Sequence, residues 1–377
     1  MIITIVAGAR PNFMKVAPII KSIQEAQTNG YDIKYRLVHT GQHYDKKMSS
    51  DFFEQLCIPE PDANLGAGGG SQAEQTAAIM VKFEKELLEN KSDLVLVVGD
   101  VTSTMACTIV AKKLCIDVAH VEAGIRSGDR TMPEEINRLV TDVICDHFFT
   151  TSEEANHHLY HSGVPKEKVH FVGNTMIDTL YQNLNRLIQP ELWKQVALKQ
   201  GNYFLITLHR PSNVDDPHNL THLLEVILKS TGKLPIVFPV HPRTRKMLDS
   251  VGFMHPRLIQ TDPMSYLEFI FLVKNAKAVI TDSGGITEET TVLGIPCLTL
   301  RSSTERPETV AIGTNELIGT DPNNLLPYLE KIMQGIWKPY SVPPLWDGET
   351  AQRIIATIIR VYNVPNIPKV EYALQAS

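Results

Sequence analysis

Short β-branched runs alternate with amphipathic helical patterns from one end of the chain to the other, and this predicts an α/β protein of parallel sheets covered by helices on both faces. The runs form two similar series on either side of a strand-free polar stretch, so two similar doubly wound domains are expected. In each series a glycine-bearing turn follows a strand and opens a helix, which is where such sheets present their ligand-binding edge.

Strands are expected at residues 2–6, 34–39, 94–98, 117–121, 148–151 and 169–172 in the first series. The second series is expected at 203–208, 236–240, 258–261, 278–281 and 296–300. Phe13, Val16, Ile19 and Ile23 keep helical spacing after the first strand, and Pro11 suits a first helical turn because its missing N–H is not needed there. Residues 174–200 read as polar and mostly helical, with Ile177, Leu180 and Leu187 on one face. The expected division is residues 1–173 and 174–350, with a last helix from about 351 to 377 crossing back onto the first domain. The glycines of 66–71 read as a loop, since no strand feeds them directly.

A chain of 377 residues has room for two to three domains of roughly 150 residues each. Its 43% apolar and 21% charged content matches ordinary globular composition. Lys plus Arg number 36 against 42 Asp plus Glu, a net charge of −6, with no basic tract for nucleic acid. No apolar stretch approaches the roughly 18 residues of a membrane span, and the N-terminus lacks the pattern of a signal peptide. The five cysteines lack Cys-x-x-Cys spacing and read as buried thiols in a reducing cytoplasm.

Four clusters carry chemistry. Gly8-Ala9-Arg10-Pro11 lies between a strand and a helix, where doubly wound folds bind anions; Arg10 is there either to meet a phosphate or as a surface residue of a tight turn. Asp282-Ser283-Gly284-Gly285 repeats that layout, with free backbone N–H groups for a diphosphate and Glu289 one turn further on for sugar hydroxyls. It is not the dinucleotide fingerprint, and a helix-capping turn would also explain its glycines. Gly99-Asp100, the run from His120 to Arg126, and Pro133-Glu134-Glu135-Ile136-Asn137-Arg138 supply carboxylates at neighbouring strand ends, so Asp100 and Glu122 should lie close together and close to Arg10. Glu135 reads as favouring a helix N-terminus. Finally, His209-Arg210 and His241-Pro242-Arg243 end two strands of the second series, either structurally or as an anion-binding pair, and Thr304-Glu305-Arg306-Pro307-Glu308 adds another basic group. The pairs His157/His161 and His218/His222 have no zinc-site glutamate and read as surface helix residues.

These motifs, with Gly41-Gln42-His43 and Val172-Gly173-Asn174-Thr175, occur in one order over nearly the whole chain, which closely resembles the non-hydrolysing UDP-N-acetylglucosamine 2-epimerase family. The resemblance implies two Rossmann-like domains of GT-B type with the active site in the cleft between them, a homodimer, and no cofactor. It implies conversion of UDP-N-acetylglucosamine to its manno epimer by elimination of UDP to a 2-acetamidoglucal and re-addition. Asp100, Glu122, Glu134 and His209 would be the catalytic set. Arg10, Lys15, Arg138, His241, Phe269, Ser283, Gly284, Gly285, Glu289 and Arg306 would bind substrate, Phe269 at the uracil, and Gln42 and His43 would belong to an activating second site. Two stretches depart from the family pattern, Gly68-Gly69-Gly70-Ser71-Gln72 and Pro211-Ser212-Asn213-Val214. They keep open a modified UDP-sugar as substrate, such as a diacetamido uronic acid or a 6-deoxy aminosugar. The other readings are a GT-B glycosyltransferase, a hydrolysing epimerase and a non-catalytic UDP-sugar sensor.

Overall fold

The computed structural model describes residues 1–41, 53 and 55–367, without the side chains of Arg10, Ser212, Pro242 and Arg243. The chain divides into two compact units, Met1–Thr179 with the chain from Leu345 onward, and Leu180–Pro344.

The first unit runs β1 (Ile2–Ala7), α1 (Arg10–Thr28), β2 (Lys34–His39), β3 (Ala63–Asn64), α2 (Gln72–Glu89), β4 (Leu94–Val98), α3 (Thr102–Lys113), β5 (Asp117–Val121), α4 (Pro133–Ile144), β6 (His147–Thr150), α5 (Glu153–His161), β7 (Val169–Phe171) and α6 (Thr175–Asn183). Its sheet has the order β3-β2-β1-β4-β5-β6-β7, with every pairing parallel. All five residues of β4, Leu-Val-Leu-Val-Val, are buried, as a strand covered on both faces requires. Strand order reverses between β1 and β4, so the turns after these two strands flank the switch point where open α/β sheets bind ligands. The glycine-rich loop ends at Ser71, whose hydroxyl accepts from Glu74 N while the Glu74 carboxylate accepts from Ser71 N at 2.8 Å, a capping box that starts α2.

The second unit runs α7 (Glu191–Gln195), β8 (Phe204–Thr207), α8 (Pro211–Val214), α9 (Pro217–Ser230), β9 (Ile236–Pro239), α10 (Pro242–Ser250), β10 (Leu258–Thr261), α11 (Tyr266–Asn275), β11 (Ala278–Thr281), α12 (Gly284–Leu293), β12 (Cys297–Thr299), α13 (Pro307–Ala311), β13 (Asn315–Leu317) and α14 (Leu326–Met333). Its parallel sheet has the order β10-β9-β8-β11-β12-β13, with the switch point between β8 and β11. Leucine and isoleucine from α9, together with Phe204, Ile206 and Phe238, fill the core on one face.

The last helix, α15 (Thr350–Val361), belongs to the first unit and buries Ala351, Ile354, Ile355 and Ile358. Its first N–H groups are capped from a distance: Asp178 accepts from Thr350 N at 3.1 Å and from Ala351 N at 2.7 Å.

Both units are doubly wound parallel sheets, the α/β class the sequence predicts. Two short strands are additional to the expected set, β3 and β13, each at the edge of its sheet. Two or three residues, most of them polar, give no periodicity to read. The cysteines need a correction: Cys107, Cys145 and Cys297 are buried, but Cys57 and Cys115 are exposed. Both exposed ones adopt positive φ, 52° and 56°, in turns rather than within the apolar elements beside them.

Candidate active site

In the first unit, Asn12 secures the turn after β1, accepting from Gly8 N at 3.1 Å and Ala9 N at 3.0 Å and donating to Val98 O of β4 at 3.2 Å. It thereby ties the turns after the two switch-point strands to each other. Gly8 is required here by protein packing. A Cβ on it would lie 1.7 Å from Ser103 Oγ of α3.

Asp100 and Glu122 follow the neighbouring strands β4 and β5. Glu122 is 4% exposed and pairs with Lys15 of α1, Nζ to Oε2 at 2.6 Å. Its backbone is left-handed, φ 69°, a conformation that costs a β-carbon-bearing residue on the order of 1 kcal/mol and that turns the side chain out of the strand's alternation. Gly99 sits against this pair: a Cβ there would lie 3.0 Å from Lys15 Nζ and 3.8 Å from Glu122 Oε2. Asp100, partly exposed, forms a close ion pair with Arg138 Nη2, and its carbonyl accepts from Asn137 Nδ2 at 2.8 Å. Glu134, half-buried at the start of α4, stands one turn ahead of Arg138. The strand ends and α4 thus bring Asp100, Glu122, Lys15 and Arg138 into one charged cluster beside the switch point, with Glu134 on the helix that carries Arg138. Arg10 opens α1, its side chain outside the described part, and Gln42 and His43 also lie outside the described residues.

Glu135 does more than favour a helix start. It is buried and accepts from Ser127 N at 2.8 Å, Ser127 Oγ at 2.9 Å and Arg138 Nη1 at 3.0 Å. Burial pushes its carboxyl upward, but these donors outweigh burial and hold it below the usual range. It therefore fixes both Arg138 and the loop after β5. A second buried network does the same for the strand ends. His120 lies 2.7 Å from Asp142 Oδ1 and 2.8 Å from Gly99 O, while Asp142 accepts from Gly124 N at 3.1 Å and from Arg126 Nη1 at 2.6 Å.

In the second unit, His209 and Arg210 follow β8 and Ser283 follows β11. Ser283, with no side-chain cap, leads into α12, and Gly285 has no atom within 4 Å of where a Cβ would stand. Open N–H groups at a helix start beside an uncrowded glycine form a cradle suited to a phosphate. Arg306 is engaged with Glu288 through Nε, and Arg301 grips Glu305 at 3.0 and 2.9 Å with both guanidinium N–H groups beside Gly284. His241 is exposed at the start of α10, and Phe269 is half-buried on α11 against the core.

Glu289 is 3% exposed and accepts from Tyr266 Oη at 3.0 Å. Burial pushes its pKa up to about 8, the Tyr266 bond acting against this and the Glu288 charge adding to it. A carboxyl whose folded pKa is raised stabilises fully below its unfolded value and loses that contribution as pH climbs through the folded one. Glu289→Gln, which cannot ionise, is expected to gain on the wild type by a few kcal/mol between about pH 5 and pH 8 in ligand-free urea unfolding. Parallel pH profiles for the two proteins would contradict the burial of an ionisable group there.

Asp282, Glu135, Asp142, Arg126 and Arg301 all lie in or beside motifs visible in the sequence that do not by themselves mark them as site residues. For Asp282 only the folded sheet supplies the signal: parallel pairing of Thr207 with Thr281 puts it next to Leu208 and His209. Among the described residues no group of three or more His, Cys, Asp or Glu is placed to hold a metal ion, and no helix is long and apolar enough to cross a membrane.

A family model described as UDP-N-acetylglucosamine 2-epimerase matches residues 24–359. The chain is 39% identical over 368 residues to the UDP-N-acetylglucosamine 2-epimerase of Methanocaldococcus jannaschii, covering 94% of this chain and 98% of the relative. The crystal structure of the M. jannaschii enzyme in complex with UDP-GlcNAc and UDP superposes with a TM-score of 0.83, covering 96% of this chain and 100% of that one. A UDP-2,3-diacetamido-2,3-dideoxy-D-glucuronate 2-epimerase of Pseudomonas aeruginosa is 40% identical over 323 residues, 84% of this chain and 88% of the relative. With two doubly wound sheets, strand-end carboxylates at one switch point, a glycine cradle at the other and matches spanning nearly its whole length, the chain belongs to the UDP-N-acetylglucosamine 2-epimerase family, a family of isomerases.

Proposed function

We propose that this protein interconverts UDP-N-acetylglucosamine and UDP-N-acetylmannosamine by anti elimination and re-addition of UDP. No carbonyl acidifies the C2 hydrogen of the sugar, so simple deprotonation is unfavourable. Departure of UDP from C1 builds positive charge that loosens the C2 proton; loss of both gives 2-acetamidoglucal and UDP. Re-addition of UDP at C1, with a proton delivered to the opposite face of C2, completes the inversion. The observation that carries this reading is the carboxylate cluster at the first switch point, Asp100 and Glu122 anchored by Arg138 and Lys15 with Glu134 on the next helix.

In this reading the first unit performs the proton transfers and stabilises the oxocarbenium-like state. The second unit binds UDP: Ser283, Gly284, Gly285 and Arg306 hold the diphosphate, Glu289 the ribose and Phe269 the uracil, while His209 with Arg10 supports the departing phosphate. Lys15, Arg138 and His241 complete the substrate contacts, and Gln42 and His43 serve an activating second site. The proposal includes a homodimer working in the cytoplasm and feeding surface polysaccharide assembly. Exposed Val81 and Leu88 on α2 and Ile136 and Val143 on α4 offer apolar surface for such an interface.

Turnover of UDP-N-acetylglucosamine in D2O, with neither NAD nor metal added, should place deuterium at C2 of the product, read by proton NMR. Product without deuterium would exclude the elimination route. Faster turnover of a UDP-linked diacetamido uronic acid under the same conditions would reassign the substrate.

A further inference from the structure

We propose that Asp282 is a positioning residue for His209, holding a proton on Nδ1 so that Nε2 is the nitrogen offered to the departing diphosphate. This rests on the reading of His209 as the group that supports that phosphate. Asp282 is fully buried directly after β11, whereas the His209 side chain, after the neighbouring β8, is 59% exposed. Asp282 Oδ1 lies 2.7 Å from His209 Nδ1. The remaining partners of the carboxylate are also donors: His209 N at 3.1 Å from each oxygen, Arg210 N at 2.9 Å and Asn213 Nδ2 at 3.0 Å from Oδ2. Burial pushes this carboxyl up, but His209, Asn213 and Arg210 hold it below the ordinary aspartate value, so it stays ionised and acts only as an acceptor.

An ionised carboxylate facing Nδ1 requires a hydrogen there, which leaves Nε2 on the exposed side of the ring. Nε2 stabilises negative charge gathering on the leaving UDP only while it too carries a hydrogen, taken up from solvent on the exposed side of the ring. The buried anion behind the ring offsets the charge of that imidazolium. The dyad is also tied to the phosphate cradle. Thr281 Oγ1 lies 2.8 Å from Thr207 Oγ1 of β8 and accepts from Ser283 N at 3.0 Å, so the histidine turn and the glycine turn share one support.

Long-range 1H–15N spectra of protein labelled with 15N-histidine read the proton position directly, His209 being assigned by its loss in His209→Asn. Nδ1 should be protonated in the wild type, and Asp282→Asn should move the ring to the Nε2–H form. The same variant should lower kcat by about 10- to 100-fold, the range for lost orienting partners, with KM for UDP-N-acetylglucosamine changed by less than about threefold. A wild-type ring bare at Nδ1 overturns the proposal, as does a folded Asp282→Asn enzyme turning over normally. If that variant fails to fold, the wild-type spectrum decides alone. Full activity in His209→Asn would instead remove the reading of His209, and with it the purpose assigned to Asp282, even with the expected spectrum.

Discussion

Asp100→Asn, Glu122→Gln and Glu134→Gln should each slow epimerisation by at least about 100-fold, the usual loss when an acid–base group is removed, while UDP binds nearly as well as to the wild type. The three should differ in stability. Glu122→Gln strands the Lys15 ammonium, 12% exposed and 2.6 Å from the lost charge, and breaking so enclosed a pair costs on the order of 3 kcal/mol. Asp100 is more open, and Arg138 keeps Glu135 as a second partner, so Asp100→Asn should melt only slightly early. Glu134→Gln, half-exposed on the first turn of α4, should melt with the wild type. Initial rates by NMR, UDP titration calorimetry and thermal melts separate these effects. Near-normal turnover in all three would remove the cluster from the reaction.

Gly8→Ala should destabilise the protein by roughly 2–4 kcal/mol through overpacking and a broken hydrogen bond. The added methyl would stand 1.7 Å from Ser103 Oγ, 2.8 Å from Ser103 Cβ and 2.9 Å from Thr40 Oγ1. Neither neighbour can turn away freely, since both are buried and Thr40 donates to Ser103 at 3.1 Å. The start of α3 or the turn after β1 has to shift, and either shift reaches Asn12, Gly99 and the carboxylates. A Tm lower by roughly 5–10 °C is expected, with partial recovery when Ser103→Gly is added, since Thr40 Oγ1 still crowds the methyl. Unchanged melting would mean that the turn is looser than its geometry.

The strands flanking the switch points were legible because continuous apolar runs such as 94–98 and 278–281 admit no other environment. The turns after them were legible as ligand positions because glycine, an acid or a histidine follows directly. What sequence could not reveal was which of two adjacent acids faces inward. Glu134 and Glu135 look alike as the first residues of a helix, yet α4 buries the second under Ser127 and Arg138 and leaves the first half-open. The packing demand on Gly8 was not legible, since its neighbour Ser103 lies 95 positions away in the chain and meets it only once α3 packs on the turn. Asp282 went unassigned because a buried carboxylate gains meaning only from the donors gathered around it.

The left-handed backbone at Glu122 sets main chain against side chain at a single residue. Glycine there would relax the main chain by only about 1 kcal/mol, yet it would strand the Lys15 ammonium at a cost of about 3 kcal/mol and delete a carboxylate on which the proposed reaction depends. A search for hardier variants guided by folding alone would therefore keep the glutamate, and the backbone's preference for glycine would show only with Lys15 and Glu122 replaced together. The ion pair thus shelters the carboxylate from a drift that the backbone alone would favour.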